Sequence, residues 1–85
     1  MSLKLNIYTL NFIARCPNDG AEIDYRLEIR TPEMIMVERI NAEAHGIVEV
    51  HQEQIADHLH ERFGGELRIW GTHQCVDIES VRLLE

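Results

Sequence analysis

Between residues 21 and 30 the chain alternates without a break. Ala21, Ile23, Tyr25, Leu27 and Ile29 fall on one side, and Glu22, Asp24, Arg26, Glu28 and Arg30 on the other. A period of two with one wholly charged side predicts a half-buried antiparallel strand. The preceding stretch, Leu3 to Ala14, also alternates but changes phase. Leu3, Leu5 and Ile7 share one side, then Leu10, Phe12 and Ala14 take the opposite one, which predicts a bulge near Tyr8–Thr9. Asn18-Asp19-Gly20 supplies turn chemistry between the two strands. Thr31-Pro32-Glu33 then reads as a helix start, with Thr31 as cap, Pro32 at the first helical position and Glu33 complementing the dipole. Met34, Val37, Ile40 and Ala44 follow at helical spacing, and Gly46 ends the segment. Met34 and Met36 read as core fillers. A second helix is predicted from His51 to Phe63, with Ile55, Leu59 and Phe63 as its apolar stripe, Gln52 and Ala56 alongside, and Gly64-Gly65 as its stop. Glu66–Trp70 and Cys75–Leu83 close the chain as a strand pair around a Gly71-Thr72-His73-Gln74 turn.

The order strand-strand-helix-helix-strand-strand predicts a single α+β domain over residues 1–85: a four-stranded antiparallel sheet with both helices on one face. The charged face meets water, or it lines a wet lumen where several sheets join edge to edge. Edge strands of an open sheet are a liability that closing a ring of subunits removes.

Composition narrows the partners. Eighty-five residues bury only about 60–65% of the surface exposed on unfolding, so an oligomer is expected. The net charge of −7, with eight scattered basic residues, argues against a phosphate-backbone partner such as nucleic acid. No stretch approaches the roughly 18 apolar residues that span a bilayer, and no export signal is legible. The expectation is a cytoplasmic protein without membrane contact, its two cysteines reduced. Met1–Leu3 and Glu85 are given no weight in this reading.

Four stretches carry a resemblance. "CPNDG" at 16–20 resembles the Cys-Pro-x-Thr-Gly segment of the 7-cyano-7-deazaguanine reductase of queuosine biosynthesis, and "PEMIMVE" at 32–38 resembles its Pro-x4-Val-Glu segment. "HGIVEVHQEQIADHL" at 45–59 is similar to its His-Gly…His-Glu stretch and to the Gln-Glu-x-Leu/Ile stretch of GTP cyclohydrolase I. "THQCVDIESVR" at 72–82 is similar to the Thr-His-x-Cys segment of that cyclohydrolase. Together they resemble the tunnelling fold, whose subunits assemble into oligomeric barrels.

The resemblance implies a homo-oligomeric ring that binds a purine, pterin or deazapurine between subunits. Glu53 would hold the guanine-like edge, with Glu38 and His45 as further substrate contacts. Cys16 would be the nucleophile. His45 and His51 flank the inter-helix loop, where either could shuttle a proton, and His51 is the catalytic candidate. The reductase's acid falls at Ile23 in this chain, and Asp24, one place on, is its stand-in. "VERINAEA" lacks the lysine linked to NADPH, so nitrile reduction is not implied. An amidine-forming relative, in which ammonia attacks the cysteine adduct, fits that gap. A second reading is a zinc hydrolase like GTP cyclohydrolase I, with Cys16, Cys75 and one of Asp19, His73 or His45 as ligands. A third is a binding or assembly protein that kept the fold without catalysis. Plain structural roles compete at every position: Cys16 as a small apolar residue at a strand end, Cys75 as a buried strand thiol, Glu53 as a first-turn glutamate favoured by the helix dipole, Glu38, His45 and His51 as solvated groups.

Overall fold

Two long strands open the chain. β1 (Asn6–Arg15) and β2 (Glu22–Thr31) pair antiparallel from Asn6↔Thr31 to Arg15↔Glu22 with no interruption. This computed structural model describes residues 4–84, so the expectations on Met1–Leu3 and Glu85, including Leu3 as the head of the first strand, lie outside the described residues. The bulge expected near Tyr8–Thr9 is absent. Tyr8, Leu10, Phe12 and Ala14 all face the core in one phase, while Leu5 and Ile7 stay exposed on the other face. The change of phase marks where apolar side chains switch faces on a regular strand. Tyr8 holds the inward position because its hydroxyl accepts a hydrogen bond from the Ile35 N–H at 2.9 Å.

That bond also moves the start of the first helix. Thr31 ends β2, and its Oγ1 accepts the Glu33 N–H at 3.1 Å, the contact a capping residue makes. The chain nevertheless bends there, and α1 (Val37–His45) begins six residues after Thr31. Ile35 is buried and its N–H is taken by Tyr8, so the segment before Met36 is held off the helix path. As a result Met34, Met36 and Val37 are exposed, and the α1 core face reduces to Ile40 and Ala44. The methionines are not core fillers.

α2 (Gln52–Phe63) matches its expected span, with Ile55, Ala56 and Leu59 fully buried. It stops at Gly64, whose φ of 67° lies in the left-handed region and whose N–H bonds His60 O at 2.8 Å. β3 (Glu66–His73) and β4 (Val76–Arg82) complete a sheet of order β1-β2-β3-β4. β3 runs three residues beyond Trp70. Gly71 pairs with Ile78, Thr72 with Asp77 and His73 with Val76, and the turn shrinks to Gln74-Cys75. Both turn residues have positive φ, 48° and 68°, the backbone twist a two-residue hairpin requires. Cys75 is therefore an exposed turn residue and not a buried strand thiol.

α1 packs against β1, and α2 crosses β3 and β4. The core lies between them and the sheet, built on Tyr25, Leu27, Ile29, Leu67 and Ile69 with Ile55 and Leu59. The opposite sheet face carries Asp24, Arg26, Glu28 and Arg30 as expected, extended by Arg68 and Glu79 of β3 and β4, which pair at 3.3 Å. Trp70 sits on that outer face, half-buried, opposite Arg26 and Glu79.

Candidate functional site

Cys16 follows directly on β1. Its N–H donates to Ala21 O at 2.9 Å and its carbonyl accepts the Gly20 N–H at 2.8 Å, which closes the "CPNDGA" loop tightly over the strand end. Strand alternation sends its side chain to the face of Phe12 and Ala14, where it is 8% exposed. One residue earlier, Arg15 donates its N–H to Val48 O at 2.8 Å. This main-chain tie draws the connection between the helices along the open edge of β1 and brings the start of α2 to the cysteine's end of the sheet.

Gln52, the first residue of α2, is 5% exposed. Its amide nitrogen donates to Ile69 O at 3.1 Å and Ile78 O at 3.0 Å, with Ser80 Oγ at 3.2 Å. Its Oε1 lies 2.8 Å from His73 Nε2, which in turn lies 3.4 Å from the Tyr25 hydroxyl. One side chain thus pins the helix start to both closing strands. Gly71 is what lets it fit: a Cβ there would stand 2.7 Å from Tyr25 Cε1 and 2.8 Å from Gln52 Oε1. Burial pushes the Tyr25 phenol up to about 12, with a smaller push from neighbouring Cys16.

Between the Cys16 loop, the start of α2 and the β3–β4 hairpin opens a cavity of about 650 Å³. This is the size of a small-molecule site. Cys16 and Asp19 line one side, His51, Gln52 and Glu53 another, and His73 a third. Val76 and Ile78 give an apolar wall on β4. Glu53 occupies the first turn of α2, where the helix dipole favours its charge. Its carboxylate is in no hydrogen bond or ion pair among the described residues, while its carbonyl accepts from Arg82 at 3.2 Å. His51 precedes the helix at the N-cap position, exposed and without a side-chain capping bond. Asp19 accepts the Ala21 N–H at 3.0 Å and Gln74 Nε2 at 3.2 Å, so it bridges the two loops at the rim. Those bonds, the Ala21 N–H foremost, hold its carboxyl below the usual range, with a smaller contribution from the Cys16 thiol.

Three of the six residues expected at the site, Cys16, His51 and Glu53, therefore line one cavity within a single chain. Asp24 does not. It lies on the outer face of β2, opposite Ile13, with the sheet between it and the thiol. Ile23, the position the resemblance gives to the acid, faces the core as a buried apolar residue. The carboxylate that does stand beside Cys16 is Asp19. Glu38, in the first turn of α1, and His45, at its end, are exposed and away from this cavity. The set Cys16, Cys75 and Asp19 does not form a metal centre: among the described residues no three His, Cys, Asp or Glu side chains converge closely enough to share an ion. Cys75 is an exposed residue of the β3–β4 turn and does not line the cavity. The Gln52–His73–Tyr25 chain was missed as a unit. The only trace of it in the sequence is a polar Gln52 beside the apolar stripe of α2.

No family model matches the chain, and no curated protein matches it. Among solved structures, the apo form of the archaeosine synthase QueF-Like superposes with a TM-score of 0.82 at 14% sequence identity, over 96% of this chain and 94% of that one. The α+β unit described above, with its order strand-strand-helix-helix-strand-strand, thus shares its fold with that protein, and the four-stranded antiparallel sheet with two helices expected from the sequence is the one observed.

Proposed function

We propose that the cavity binds a planar heterocycle of the purine, pterin or 7-deazaguanine type and that Cys16 attacks an electrophilic carbon on it. The observation that carries this reading is the convergence of Cys16 and Glu53, from opposite halves of the chain, on one cavity. An unengaged carboxylate at a helix start accepts two hydrogen bonds, the pattern offered by a guanine-type N–H and amino group. Val76 and Ile78 suit the flat apolar face of the ring. One solved structure it superposes on is the archaeosine synthase QueF-Like, which supports the deazaguanine class.

With a nitrile on the ring, the sulfur adds to carbon and the thiol proton passes to nitrogen, giving a thioimide. Ammonia then adds to that carbon and the thiolate leaves, which yields an amidine with no net oxidation. His51 and the Asp19 carboxylate stand at the cavity to handle the protons. Hydride delivery would need the lysine motif that "VERINAEA" lacks. Glu38 and His45 reach such a ligand only from a neighbouring copy, in the ring the fold resemblance implies.

A reading without catalysis keeps the same cavity and is favoured by one observation, the placement of Asp24 on the wrong face. Calorimetric titration with 7-cyano-7-deazaguanine tests the shared claim. Binding is expected, and Glu53→Gln should weaken it roughly 10- to 150-fold, the worth of a hydrogen-bond pair to a charged group. Equal affinity in the variant refutes the role of Glu53.

A further inference from the structure

The hydrogen-bond pattern around Gln52 settles a question that coordinates of heavy atoms ordinarily leave open. The Gln52 amide nitrogen faces two main-chain carbonyls, Ile69 O and Ile78 O. Carbonyl oxygens only accept. Turning the amide over would set Oε1 against both of them, with no proton between. The nitrogen is therefore fixed toward the strands, and Oε1 is fixed toward His73. Oε1 is itself only an acceptor, and it stands 2.8 Å from His73 Nε2. That nitrogen must carry a proton. The same N–H points its weaker side at the Tyr25 oxygen, 3.4 Å away. In the neutral imidazole the other nitrogen, Nδ1, is then left as a bare acceptor, and it has no hydrogen-bond partner among the described residues. His73 lines the cavity.

We infer that Gln52 holds His73 as the Nε2–H tautomer, and that Nδ1 is the cavity's acceptor for a ring N–H of the bound heterocycle. This rests on the ligand reading above and sharpens it. The site would offer acceptors at two places, the Glu53 carboxylate and the His73 Nδ1, so it selects a ring with N–H donors on two edges. Gln52 is a positioning residue here. Both ends of its amide are engaged within the protein, and it acts by deciding which nitrogen of His73 is bare. The backbone supplies the constraint: two carbonyls set an amide, and the amide sets an imidazole.

The test is long-range proton–nitrogen correlation spectroscopy on the uniformly 15N-labelled full chain, with His73→Gln used to assign its signals. At a pH where the ring is neutral, the free protein should show His73 protonated at Nε2 and bare at Nδ1. The opposite tautomer overturns the inference whether or not any ligand binds. On addition of 7-cyano-7-deazaguanine, the Nδ1 resonance should move in the direction of an accepted hydrogen bond. If the base binds in a Glu53-dependent way and Nδ1 does not move, the ligand reading survives and the role of His73 falls. If the tautomer is as stated and no base binds, the ligand role of Nδ1 falls together with the reading it rests on, and only the Gln52 lock stands. Gln52→Leu provides a second check. With the amide gone, the Nε2–H preference should be lost, and a tautomer unchanged in that folded variant contradicts the positioning role.

Discussion

At the scale of single residues, the site is a set of polar groups whose states are imposed by what surrounds them. Tyr25 shows this most plainly. Its phenol is buried against Phe12, 5.4 Å between ring centroids, and is raised from 10.0 to about 12. Because the folded value lies above the unfolded one, its contribution to stability is complete below about pH 10 and is lost as pH rises through about 12. Urea midpoints measured across that window should fall more steeply for the wild type than for Tyr25→Phe, and parallel curves contradict the assignment. That Cys16 and Glu53 stand at one cavity was legible in the sequence, because short motifs single them out and strand or helix periodicity fixes their faces. Asp24 was misread for the same reason: on a strand, one place along is the other side of the sheet. The Gln52–His73 bond was not legible, because it depends on carbonyls of β3 and β4 that no pattern of side chains announces.

At the scale of elements, local signals were read correctly but sometimes assigned to the wrong structure. Thr31 makes its capping bond to Glu33 without a helix following, since Tyr8 claims the Ile35 N–H across the sheet. The β3–β4 hairpin tightens to two residues at Gln74-Cys75, where neither residue is the glycine or asparagine that ordinarily marks such a turn. Gly71, which the sequence pattern places in the turn, instead serves the strand interior. Its missing Cβ leaves room for the Tyr25 ring and the Gln52 amide. Gly71→Ala should therefore destabilise the fold by about 1–3 kcal/mol, the usual cost of overpacking. It should also displace Gln52 and lower ligand affinity. Thermal denaturation and titration of the same variant check both effects, and a neutral variant contradicts the packing described.

At the scale of the whole molecule, the chain is an elongated slab, 49 × 24 × 18 Å, with a radius of gyration of 13.1 Å. A compact chain of this length has a radius of about 12 Å. β1 and β4 are both edges, and they carry exposed Ile7, Ile13, Val76, Ile78 and Val81. Long apolar edges of this kind seek partners. Light scattering is expected to give a multiple of the 9.9 kDa chain mass that persists on dilution, and a stable monomer contradicts the ring. The central claim, that the thiol at the end of β1 reacts with a heterocycle held by the start of α2, is reached most directly by intact mass spectrometry after incubation with 7-cyano-7-deazaguanine. The predicted result is one covalent adduct of the base per chain, retained in Cys75→Ala and lost in Cys16→Ala. An unmodified wild type, or an adduct that survives Cys16→Ala, contradicts it.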